Sequence, residues 1–178
     1  WTQLAYFYSS GDSAGLYSSG GGGASFDWGG DRALCAGGNV SGTNLSSIDY
    51  FDITTPGNAQ DFGDTTATVA NSVQGTSSNT RGIFGGMGPN FDTIDFVTIA
   101  STGNATDFGD LVVDSQQRTA TGNTIRGIFV GGYISPTGRS TIIDQIEIAT
   151  TGNATAFGDL LTTTSFAGST SDSHGGLA

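Results

Sequence analysis

Between Thr93 and Ala100 the chain alternates with a period of two. Ile94, Phe96, Thr98 and Ala100 take one face, and Asp95, Val97 and Ile99 take the other, the signature of a half-buried strand. Just before it stands a short apolar run, Arg81-Gly82-Ile83-Phe84, closed by Gly85-Gly86; a glycine pair tolerates positive φ and marks a strand end. Just after it Thr102-Gly103-Asn104-Ala105 carries the Gly and Asn that turns favour, and Asp107-Phe108-Gly109-Asp110-Leu111 reads as a further strand. A Ser/Thr-rich stretch precedes the Arg, as in Gln117 to Asn123. The pattern predicts four short strands and no helix.

The same series occurs three times. Arg32, Arg81 and Arg126 open the apolar run. Ile-Asp follows at Asp49, Asp95 and Asp144, and Phe-Gly-Asp at Phe62, Phe108 and Phe157, thirteen residues later each time. Chance does not reproduce that spacing three times, and a fixed period signals a repeat architecture. The expected organisation is one repeat domain over 1–178. It has a partial unit at 1–23, repeats at about 24–67, 68–113 and 114–161, and a partial unit at 162–178. Length varies between Gly-Gly and Ile-Asp, so Asn39–Ser47, Met87–Asp92 and Tyr133–Ile142 are expected to be loops.

Composition supports ordered β-structure. The 178 residues are 35% hydrophobic, with 30 Gly, 3 Pro, 11 Phe and 5 Tyr, whereas disordered chains are poor in aromatics. The formal charge is −11, with no Lys. The five cations, all Arg, form no basic patch to neutralise phosphates, which excludes charge-driven nucleic-acid binding and attraction to anionic membranes. No apolar run approaches the length of a spanning helix, so no membrane insertion is expected. Starting at Trp1, the chain reads as a processed form or a segment of something longer. Cys35 is the single cysteine, which excludes an internal disulfide.

Candidate chemistry is sparse. Arg32, Arg81 and Arg126 recur in phase with Asp64, Asp110 and Asp159, which predicts structural Arg–carboxylate pairs within or between units. The alternative is a ring of anion-binding arginines. Asp49, Asp95 and Asp144 read as turn-bonding or solvated carboxylates, with Ca²⁺ as the competing assignment. His174 is the single histidine and has no evident catalytic partner. Cys35 stands where sister units place Phe84 and Phe129, and reads as a small buried apolar residue. No cofactor is expected. Trp1, Tyr6, Tyr8, Tyr17 and Trp28 make the N-terminal stretch the most aromatic part of the chain. They form a candidate interaction surface, for a sugar or for a neighbouring subunit.

Four short strands per unit, a glycine pair, an apolar third strand and an aromatic thirteen residues past the Ile-Asp aspartate together resemble the kelch β-propeller blade. The resemblance covers most of residues 24–178, with Phe62, Phe108 and Phe157 where kelch blades usually carry Trp. It implies an all-β propeller of four-stranded antiparallel blades, either about four blades or a fragment of a larger ring. The phrases at 99–111 and 148–160, with Arg-Gly-Ile-Phe before them, also resemble repeats of tailed-phage structural proteins, marine cyanophages in particular. That implies a non-enzymatic virion protein, a tail fibre or surface-decoration domain. Its partners would be other virion proteins, copies of itself and host-surface glycan. The alternatives are a bacterial extracellular adhesin or carbohydrate-binding module, and an enzyme with its site on the loops.

Overall fold

The computed structural model describes residues 31–69, 73–88 and 90–171. The described chain is all-β, with thirteen strands and no helix. The first sheet holds β1 (Arg32–Ala36), β2 (Asn39–Val40), β3 (Thr43–Asp52) and β4 (Gln60–Val69). The second holds β5 (Gln74–Ser77), β6 (Arg81–Met87), β7 (Thr93–Thr98) and β8 (Thr106–Asp110), paired in that order. The third holds β9 (Thr119–Gly122), β10 (Arg126–Val130), β11 (Tyr133–Ile134), β12 (Gly138–Glu147) and β13 (Thr155–Thr164). All pairings are antiparallel. Each sheet corresponds to one sequence repeat.

One irregularity recurs in every sheet and explains the thirteen-residue spacing. Ile48 pairs with Gly63 while Asp49 pairs with Asp61, so Phe62 is an extra residue. Phe108 is extra between Ile94↔Gly109 and Asp95↔Asp107, and Phe157 between Ile143↔Gly158 and Asp144↔Ala156. Ile-Asp and Phe-Gly-Asp therefore meet across a β-bulge, which twists the strand and redirects its side chains.

Two of the three expected loops are hairpins instead. β2 folds back on β3 through Ser41 and Gly42, which have φ of 51° and 87°, as a two-residue type I′ turn requires. β11 folds back on β12. Among its described residues the Met87–Asp92 connection carries no further strand after Met87, which closes β6 against Thr93.

The cores lie between sheets rather than within them. Ile48, Phe62 and Val69 of the first unit pack with Phe84, Met87 and Val97 of the second. Ile83, Ile94, Phe108 and Leu111 of the second pack with Phe129, Ile146, Ile148 and Ala154 of the third. Each unit thus presents one apolar face forward and the other backward, the arrangement by which stacked repeats bury a continuous core.

Candidate functional site

The feature that the repeated residues build is the joint between successive units. Its first component is the Thr-Gly-Asn-Ala turn of the following unit. Gly103 N–H donates to the Phe62 carbonyl at 2.7 Å and Ala105 N–H to the Asp64 carbonyl at 2.8 Å. The Asn104 side chain accepts from Asp64 N–H at 3.1 Å. One unit later Gly152 donates to Phe108, Ala154 donates to Asp110, and Asn153 accepts from Asp110 N–H at 3.1 Å. The bulge glycine makes the approach possible. A Cβ at Gly63 would stand 2.5 Å from the Gly103 carbonyl oxygen, and one at Gly109 would stand 2.6 Å from that of Gly152.

The second component is the Ile-Asp carboxylate. Asp95 is buried and accepts both Thr66 N–H and Thr66 O–H at 2.7 Å. Removal from water pushes its pKa up, and the Thr66 bonds oppose that. The counterpart Asp144 accepts Val112 N–H at 3.3 Å. Val112 has no hydroxyl, and here the Arg118 guanidinium supplies the other donor, 2.7 Å from Asp144 Oδ2. Ser115 Oγ and the Val113 carbonyl accept from the same guanidinium. Burial pulls Arg118 below its usual pKa, and the Asp144 charge pulls it back.

The third component corrects an expectation. Arg32 and Arg81 do not pair with Asp64 or Asp110. Arg32 Nη1 donates to the Ile99 carbonyl at 2.8 Å, and Arg81 Nη1 to the Ile148 carbonyl at 2.9 Å. Each guanidinium also lies over an aromatic ring of its own sheet, Tyr50 at 4.5 Å and Phe96 at 4.6 Å. The strand end one unit on offers a carbonyl, and a planar cation can serve that and a ring face together. Arg126 is exposed and has Gln145 at the ring position. Asp64 and Asp159 instead accept from hydroxyls of their own sheets, Ser46 at 3.0 Å and Thr141 at 2.8 Å. Among the described residues Arg118–Asp144 is the one ion pair, and composition gave no sign of it.

Cys35 is exposed rather than buried. Phe84 and Phe129 are buried because each packs on the unit that precedes its own, whereas Cys35 stands at the equivalent position of the first described unit. Among the described residues no three His, Cys, Asp or Glu side chains are grouped to hold a metal. Trp1, Tyr6, Tyr8, Tyr17, Trp28 and His174 lie outside the described residues.

A cleft of about 440 Å³ opens beside the Arg118 loop, lined by Phe91, Val112, Asp114, Gln116, Tyr133 and Ser135 among others. No protein-family model matches the chain, and no curated protein is significantly similar to it.

Proposed function

We propose that the chain is a non-enzymatic building block of a virion, a fibre or surface-decoration domain of a tailed phage. Its partners on this reading are other virion structural proteins and further copies of itself. One observation carries the proposal: four of the polar side chains at recurring positions are engaged in joining units. Arg32, Arg81, Asp95 and Asp144 each hold the neighbouring unit, and residues that recur in every unit serve the array. The finer architecture we infer is a kelch-like propeller of four-stranded blades. Face-to-face stacking of successive sheets supports it, as does the close approach of β5 to β9, where Thr76 lies against Gly122.

The ends of the sheets would carry recognition. The β2–β3 hairpin, the Met87–Asp92 turn and the β11–β12 hairpin differ among units, and variable connections on a fixed scaffold are where binding specificity usually resides. Host-surface glycan is the second partner expected there.

Antibody labelling and protein mass spectrometry of purified phage particles test the reading. The expected result is label on the particle surface or tail. Recovery of the native protein only as a free monomer, never with a particle or filament, would overturn it.

A further inference from the structure

We infer that the two outer faces of the described array are complementary halves of one joint, and that a second copy of the chain docks head to tail between them. The inference deepens the self-association part of the proposed function and rests on it.

The trailing face belongs to the third unit, along whose β9 the chain itself continues through Ser169 and Ser171. In the second unit Phe108 is 2% exposed because the third unit covers it; its counterpart Phe157 is 54% exposed. Ile83 and Ile94 are fully buried, whereas Ile128 and Ile143 are only partly covered. Arg126, the counterpart of Arg32 and Arg81, is exposed.

The leading face belongs to the first unit and shows the converse. Asp49 and Phe51 are exposed, where Asp95 and Val97 of the second unit are buried. The turn Gly57-Asn58-Ala59 repeats Gly103-Asn104-Ala105 residue for residue and is exposed throughout.

Gly158 ties the two faces together. Nothing lies within 4 Å of a Cβ built there, and its φ is outside the left-handed region. The third unit by itself therefore has no need of glycine at this position. Gly63 and Gly109 are pressed against the carbonyls of the following turn. A seated turn supplies the missing reason at 158, and the chain carries such a turn at its other end. The occupant is a further unit of the same repeat because each face offers the donors and acceptors that the chain already satisfies twice. Docking places Gly57 N–H on the Phe157 carbonyl and Ala59 N–H on the Asp159 carbonyl. It sets Arg126 on the Ile53 carbonyl and Leu161 N–H on the Asp49 carboxylate. The contact is heterologous, so it propagates into a ring or a filament.

The test is sedimentation velocity on the whole 178-residue chain over a range of concentrations. The wild type should exceed the mass of one chain as concentration rises. Gly158→Val, which blocks the trailing face, and Asp49→Arg, which blocks the leading face, should each sediment as a single chain. An equimolar mixture of the two should recover a 1:1 dimer and nothing larger. Melting curves establish that both variants fold; if Gly158→Val melts early, Arg126→Glu probes the same face. A wild type that stays monomeric at every concentration, or whose own segments cover these faces, overturns the inference. Assembly that survives both variants overturns it too, while leaving the virion reading to the particle labelling.

Discussion

Arg118 Nη1 and Asp144 Oδ2 are 2.7 Å apart, with side chains 1% and 0% exposed. The equivalent carboxylate one unit earlier, Asp95, is equally buried yet meets no cation, because Thr66 bonds it twice. The two positions are the same in sequence and opposite in electrostatics.

Neutralising them should therefore differ. Asp144→Asn leaves the Arg118 charge buried without a counter-charge, and breaking a buried pair costs about 3–5 kcal/mol. Asp95→Asn keeps an acceptor for Thr66 N–H and offers a donor to its hydroxyl, so its cost should be within about 1 kcal/mol. Urea unfolding at neutral pH measures both; equal losses would contradict the assignment.

The pH dependence follows from the raised pKa of Asp95. The folded state binds this proton more tightly than the unfolded state does. The contribution of Asp95 to stability is thus greatest below its unfolded pKa and declines as pH rises through the folded one. The stability of wild type minus that of Asp95→Asn should fall over the window that begins near pH 3.8. A difference that rises with pH would show the carboxylate to be stabilised by its surroundings instead.

Asp92 occupies the place of Ser46 and Thr141, the hydroxyls that donate to Asp64 and Asp159. Burial raises its pKa, with further contributions from Asp114 and Asp110. Asp92→Ser removes a like charge and supplies a donor for Asp110. It should stabilise the fold by about 0.5–1.5 kcal/mol at neutral pH, read as a higher melting temperature.

Gly109 and Gly158 share a motif position but not an environment. Gly109→Ala forces a Cβ against the Gly152 carbonyl at a φ of 144°, which should cost roughly 1–3 kcal/mol. Gly158→Ala meets nothing and should leave the stability of a dilute sample unchanged. Phe108→Ala should likewise cost about 3–5 kcal/mol as a core truncation, and Phe157→Ala much less.

The fold was legible where pattern is local. Alternation from Thr93 to Ala100, the apolar run after Arg81 and the Gly-Asn turn residues placed β6, β7 and β8, and the repeat carried them to the other units, although β6 runs through the Gly85-Gly86 pair to Met87 rather than ending at it. The β2–β3 hairpin was missed because its signal, Ser41-Gly42, is a weaker turn pair than Asn-Gly, and length variation suggested a loop. The bulge at Phe62, Phe108 and Phe157 was visible only as a constant spacing, since register shifts leave no residue signature of their own. The repeated arginines pointed to carboxylates because charge is all a sequence displays. The Ile99 and Ile148 carbonyls that accept from them belong to the backbone of the next unit, and no side-chain pattern announces a carbonyl. Arg118 escaped notice because, although it lies within the third repeat, no arginine recurs at its position in the other units.

The central claim is that one joint, repeated, builds the array. Amide hydrogen exchange tests it most directly. Gly103, Ala105, Gly152 and Ala154 lie in turns, yet their N–H groups bond the preceding unit, so they should exchange as slowly as the amides of β7 and β12. Gly57 and Ala59, chemically the same turn with an exposed surface, should exchange fast in dilute solution. Slow exchange at the first four and fast exchange at the last two is the predicted result; exchange of Gly103 and Gly152 at the rate of open turns would contradict it.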